Sequence, residues 1–133
     1  MIETNAALFA NDAFYVAFAG RDLQAMDRAW AEQTPVACIH PGWNPLAGRE
    51  AVMESWAAIL GNEDSPPVQC RNAHATLIGD VAVVVCHEAI DDSFLVATNI
   101  FVKEDGRWKM IHHQAGPSQP PDEDEDESAD LIQ

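Results

Sequence analysis

Along the first third of the chain, apolar residues recur every three or four positions. Over residues 5–19, Leu8, Phe9, Ala13, Phe14, Val16 and Phe18 follow this spacing, which predicts a helix with a broad apolar face. Gly20 stops it, and Asp22 stands where an N-cap is needed for a second helix, "LQAMDRAW". Leu23, Met26, Ala29 and Trp30 share one side of that helix. "TPVACIH" is the first strand candidate. Pro35 sits near its start, where a missing N–H is tolerated, and Pro41 biases His40 toward extended backbone and closes the strand. After the loop "PGWNPLAG", "REAVMESWAAIL" places Val52, Met53, Trp56, Ile59 and Leu60 on one helical face, ended by Gly61.

Beyond the polar, proline-bearing loop 61–67 the pattern changes to strands. "VQCRNAHATLI" meets "VAVVVCHEAI" across Gly79-Asp80, a two-residue hairpin turn. "SFLVATNIFV" follows Asp91-Asp92, and "RWKMIHHQA" follows Glu104-Asp105-Gly106. There are no internal repeats. Three helices interleaved with one early strand, then an antiparallel meander of four strands, predict an α+β domain.

Strands alternate faces, so side chains can be sorted. Val36, Cys38 and His40 share a side of the first strand. The expected sets on the later strands are Val81, Val83, Val85 and His87, then Leu95, Ala97, Asn99 and Phe101. On the last strand, Arg107, Lys109, Ile111 and His113 oppose Trp108, Met110 and His112. Trp30 and Trp108 are read as core, and Trp43 and Trp56 as core or pocket lining.

Length and composition add limits. The 133 residues suit one domain, and with 47% of them apolar a proper core is available. The net charge of −15 is uneven: residues 120–133 hold 7 of the 22 acids and no base, leaving the body at −8. Residues 1–116 are therefore expected to form the domain, and 117–133 an acidic tail that cannot bury enough apolar surface to order itself. An interaction tail for a basic partner is the alternative. No basic cluster exists, which argues against nucleic acid and anionic membranes as partners. No apolar run approaches the roughly 20 residues of a membrane span, and "MIETNAALFANDAF" reads as a helix start, not a signal peptide. Three cysteines without a paired motif argue against a disulfide framework and for a reducing cytoplasm.

The candidate chemistry is centred on histidine. Five histidines invite a metal reading, but there is no HxxEH or paired-cysteine motif, and His112 and His113 are adjacent on a strand and point apart. A site from His40, His87 and His113 would need convergence that spacing alone does not provide. Cys38 lies two residues from His40 and Cys86 beside His87, yet nothing orients a thiolate against a base, so inert buried thiols are expected. "GRDL" and "AGRE" are helix starts and not phosphate-binding loops.

"FYVAFAGRDLQAM", "IHPGWNPLAGREAVMESW" and "FVKEDGRWKMIHHQ", together with the element order over residues 5–115, resemble the nuclear transport factor two-like superfamily. The similarity is to its SnoaL-like branch, which also contains ketosteroid isomerases and scytalone dehydratases. The resemblance implies a cone: a curved antiparallel sheet around a mostly apolar pocket, packed against three helices from the N-terminal half. It also implies a homodimer through the outer sheet face. Ketosteroid isomerases carry a helix tyrosine that donates to the substrate oxyanion, an aspartate base before proline, and a second, protonated acid. By motif these positions fall on Tyr15, His40 and Asn99, making those three the implied catalytic residues. Trp43, Trp56, Val85, His87 and His113 become the implied ligand-binding walls. Two departures stand out. The base position is histidine, which moves protons near neutral pH, and the second acid is an amide, which can still donate to an oxyanion.

Two functions follow. One is a cofactor-independent isomerase, lyase or cyclase acting on a small apolar or amphipathic molecule, with His40 as acid/base, Tyr15 and Asn99 as polar anchors, and no metal. The other is a non-catalytic dimeric binding or interaction module. A pocket where Tyr15, His40 and Asn99 converge favours the first; a cavity filled by Trp56 and Met53 favours the second.

Overall fold

The computed structural model describes residues 2–122. The acidic tail expected over 117–133 therefore lies, from residue 123 onward, outside the described residues. Helix α1 (Ile2–Ala19) is followed by α2 (Leu23–Ala29), whose N-cap Asp22 accepts from the Ala25 amide at 3.0 Å. Strand β1 (Ala37–Ile39), the short β2 (Leu46–Ala47) and α3 (Arg49–Gly61) complete the first half. Strands β3 (Gln69–Ile78), β4 (Val81–Ile90), β5 (Ser93–Glu104) and β6 (Arg107–Ser118) form the expected meander. The sheet has six strands in the order β2-β1-β6-β5-β4-β3, with β1 parallel to β6 and every other pair antiparallel. The fold is the α+β cone that the sequence suggests. The extra strand β2 falls within the predicted loop, where Leu46 pairs with Cys38.

The turns fix the register. Gly79-Asp80 and Asp91-Asp92 are two-residue connections, bringing Ile78 opposite Val81 and Ile90 opposite Ser93. In the third turn Asp105 and Gly106 both have positive φ, 53° and 79°, the backbone a tight primed hairpin turn demands. Glu104, just before it, ties the hairpin to the rest of the protein. Its carboxylate accepts from the amides of Glu32, Gln33 and Thr34 at 2.8–3.0 Å and from the Thr34 hydroxyl at 2.9 Å. Burial opposes ionisation of this group, but those donors outweigh it and hold the carboxyl below its usual range.

The core lies between the concave sheet face and the helices. It is built on Phe14, Met26, Trp30, Trp56, Phe101 and Met110, all fully buried. Phe14 packs edge-on against Trp56 with centroids 5.4 Å apart, and Phe18 does so at 4.9 Å. Phe9, Ala13 and Val16 on α1 and Leu23 on α2 depart from the expected apolar faces. Phe9 and Val16 point to solvent, because α1 rests on the sheet through Ala7, Asn11, Phe14 and Tyr15. Trp108, expected in the core, is half-buried, and its indole N–H donates to Glu3 at 3.2 Å.

Strand faces follow the expectation on β1 and β5 and break it on β4. Ala82, Val84, Cys86 and Glu88 face the core, so Val85 and His87 lie on the convex side. The placement of Val85 and His87 on the pocket wall is thereby corrected. The physical reason is pairing: Val84 lies opposite Asn99 and Cys86 opposite Ala97, and both partners face inward. On β6 a bulge absorbs Ile111, since Phe101 pairs with Met110 and Ile100 with His112. The extra residue shifts the alternation, so Met110 and His113 are both buried.

Candidate functional site

The short strand β1 sits beside β6 with Cys38 opposite His113, and His40 lies two residues further on. The chain then turns through Pro41 and Gly42, closed by the Trp43 amide donating to the His40 carbonyl at 2.9 Å. Gly42 has φ 83°, a conformation that favours glycine. This turn delivers His40, 3% exposed, to the end of a cavity of about 210 Å³. Phe18, Trp43, Ile59, Val68, Ile90 and Leu95 make its apolar walls. His40, Glu88 and His113 form its polar floor, and Pro41, Ser65 and Pro66 its rim.

The rim is held from outside. The Arg21 guanidinium donates to the carbonyls of Leu60, Asn62, Glu63 and Ser65, gathering the end of α3 and the following loop. Arg21 itself adopts φ 55° in the break between α1 and α2.

Behind the floor lies a buried chain of hydrogen bonds. Tyr15 Oη donates to Glu88 Oε2 at 2.5 Å. Asn99 Nδ2 donates to Tyr15 Oη at 3.1 Å and to Asn11 Oδ1 at 2.9 Å. Asn99 Oδ1 is therefore an acceptor, and the His113 Nδ1 that lies 2.6 Å from it carries the proton. This leaves His113 Nε2 as the lone-pair nitrogen, 3.9 Å from Glu88 Oε2. His40 is fixed in the same way. Ser55 Oγ lies 2.6 Å from the Val52 carbonyl and must donate to it, so it accepts from His40 Nε2–H at 2.9 Å. The lone pair of His40 is thus on Nδ1.

Electrostatics follow from burial. Burial lowers the His40 pKa to about 4. Burial, with the neighbouring His40 and His112, lowers that of His113 to about 3. Both rings are neutral near pH 7, and the approach of His113 to Glu88 is not an ion pair. Burial raises the Glu88 carboxyl to about 6, with the Tyr15 hydrogen bond offsetting part of the shift. The Tyr15 hydroxyl is pushed well above its ordinary value by burial and by the Glu88 charge. Burial and the charge of Glu88 push the Cys38 thiol up to about 12, so it is a poor nucleophile despite lying 3.6 Å from His40 Nε2.

Of the residues singled out from the sequence, His40, Trp43 and His113 line the cavity. Trp43 stands at the mouth, edge-on to the His40 ring at 4.8 Å. Tyr15 and Asn99 lie one layer behind, joined to the floor through Glu88 and His113. Trp56 is buried beneath the floor, 4.8 Å from the His40 ring, and does not form the cavity wall. His87 packs against Phe94 on the other side of the sheet, so His40, His87 and His113 do not assemble. Among the described residues no cluster of three or more His, Cys, Asp or Glu is placed to hold a metal ion. Sequence reasoning missed Glu88, Asn11 and Ser55. Glu88 had an available signal: once Asn99 is taken as inward, the two-residue turn at Asp91-Asp92 sends Glu88 inward too.

The comparisons agree with this architecture. Residues 8–120 match the family model of the SnoaL-like domain. A candidate dehydratase of the NTF2-like family from Streptomyces avermitilis is 30% identical, with a TM-score of 0.80 covering 90% of this chain and 98% of that one. A candidate association domain of calcium/calmodulin-dependent protein kinase type II from Thiobacillus denitrificans is 34% identical, with a TM-score of 0.73 covering 83% and 93%. The F-box protein SKIP8 of Arabidopsis thaliana is 30% identical over 114 residues, 84% of this chain, and the match spans 49% of that protein's length. Matched over most of its length in both sequence and fold, the chain belongs to the SnoaL-like domain family.

Proposed function

We propose that the cavity binds a small apolar molecule and performs acid–base chemistry on it, as a cofactor-independent isomerase or lyase. The observation that carries this reading is the convergence of His40, Glu88 and His113 at the floor of an otherwise apolar cavity. A carboxyl with a pKa near 6 is poised to give and take protons at neutral pH, and the neutral His40 offers a lone pair for the complementary step. Tyr15 and Asn99 hold Glu88 and His113 in place; they are positioning residues in this reading. The candidate dehydratase among the similar structures supports the reaction class. The test is a thermal-shift screen of small apolar compounds on the wild type, His40→Ala and Glu88→Gln. Hits that stabilise the wild type and lose their effect in both variants support the site, because a native-state ligand raises stability. Hits that act equally on all three place binding elsewhere and overturn it.

A second reading rests on the convex sheet face. Val83, Val85, Val96, Ile100 and Val102 form an apolar patch there, with Val85 44% exposed. A second copy of the chain, packed through this face, fits the resemblance to an association domain. Sedimentation should show a dimer that Val85→Glu converts to a folded monomer; a monomeric wild type sinks this reading.

A further inference from the structure

Resting on the pocket reading above, the geometry points to a ligand class: we infer that the cavity selects apolar molecules with a hydrogen-bond-donating head, a hydroxyl or amino group, over carbonyl and carboxylate analogues. The argument is a count of protons at the floor. The Tyr15 hydroxyl hydrogen is committed to Glu88 Oε2, and Asn99 Nδ2 spends both hydrogens on Tyr15 and Asn11. The Nδ1–H of His113 goes to Asn99, and the Nε2–H of His40 to Ser55. The third lone pair, on His40 Nδ1, faces the Cys38 thiol at 3.9 Å and can take its hydrogen, so what remains is His113 Nε2 and Glu88 Oε1, both acceptors when the carboxylate is ionised. Oε1 has no protein partner among the described residues, whereas Oε2 is taken by Tyr15.

A ketone oxygen seated at the floor, between Glu88 and His113, would meet lone pairs, and a carboxylate would add a like charge beside Glu88. A hydroxyl or ammonium supplies the missing hydrogen. The side-chain donors of the lining, the Ser65 hydroxyl and the Trp43 indole N–H, belong to the rim and the mouth. The unpartnered Trp56 indole N–H is sealed beneath it. On this inference the floor accepts hydrogen bonds where the resemblance, through Tyr15 and Asn99, implied donation to a substrate oxyanion. Size narrows the class: a cavity of about 150 Å³ accommodates benzene, so this one, at about 210 Å³, accepts a single ring with its head group.

The experiment uses the full chain and four matched probes: cyclohexanol, cyclohexylamine, cyclohexanone and cyclohexanecarboxylate. Affinities are measured at pH 8 by nuclear magnetic resonance titration. The alcohol and the amine should bind about tenfold or more tightly than the ketone, and the carboxylate more weakly still. Glu88→Gln adds an amide donor at the same position, so the gap between alcohol and ketone should close by about tenfold. Equal affinities for all four probes overturn the ligand class but leave a binding pocket. A donor preference that Glu88→Gln does not change overturns the role given to Glu88. No binding by any probe overturns the pocket reading itself, and this inference with it.

Discussion

Replacing Glu88 with glutamine should make the protein more stable at neutral pH, although it removes the group on which the site depends. Glu88 is 2% exposed, and its carboxyl titrates near 6 in the fold against 4.5 when unperturbed. Between those values the folded state holds a proton that the unfolded chain releases. Stability therefore falls as pH rises through this window, and the full penalty is present above it. The shift corresponds to about 2 kcal/mol at pH 7.5 and about 0.8 kcal/mol at pH 5. Glutamine has no proton to lose, and its amide oxygen can still accept from Tyr15. In a domain of roughly 120 residues, about 2 kcal/mol is a rise of about 8 °C in Tm. Urea denaturation of wild type and Glu88→Gln at the two pH values isolates this term, because His40 and His113, with pKa values of about 4 and 3, are largely neutral in the fold at both. A variant less stable than wild type at pH 7.5, or an advantage independent of pH, would refute the reasoning. Stability sacrificed at one buried carboxyl is what a functional site leads one to expect.

Three further outcomes can be measured. His40 has a pKa of about 4 in the fold and 6.5 unperturbed. The unfolded state thus binds more protons below 6.5, and stability falls as pH drops, by about 3 kcal/mol from this group at pH 4. His40→Gln should flatten the urea midpoint against pH. Arg21→Met should raise hydrogen exchange across residues 62–65, and Arg21→Lys should not restore protection, because an ammonium cannot span the carbonyls that the guanidinium fork reaches. Glu104→Gln should lower stability by about 1–2 kcal/mol in urea titrations, since the carboxylate satisfies three backbone amides and a hydroxyl.

Much of the fold was legible because local chemistry and global pairing agree. Asp22 caps α2 as expected, the three hairpin turns fall on Gly79-Asp80, Asp91-Asp92 and Asp105-Gly106, and β5 buries the set that includes Asn99. The site was legible only in part. His40, Trp43 and His113 reach the cavity, since the Pro41 turn and the β6 strand carry enough pattern to orient them. Glu88 was hidden because "VAVVVCHEAI" is apolar on both faces, and period-two reasoning prefers the acid outside. The β6 bulge at Ile111 has no sequence signature, so strict alternation sets Met110 and His113 on opposite faces although both are buried. Ser55 and Asn11 read as unremarkable helix positions, and only tertiary contact gives them partners.

The two-residue Asp91-Asp92 connection has a consequence for how such domains diversify. Both faces of β4 from Val81 to Val85 are apolar, so slipping the strand by one residue would leave a hydrophobic core-facing row there. The slip would nevertheless carry Glu88 outward and bring His87 into the cavity. A single-residue insertion or deletion in this turn could thus replace an acid-floored pocket with one floored by imidazoles. Among descendants of such a chain, the length of one loop is a cheaper route to new chemistry than any substitution inside the pocket.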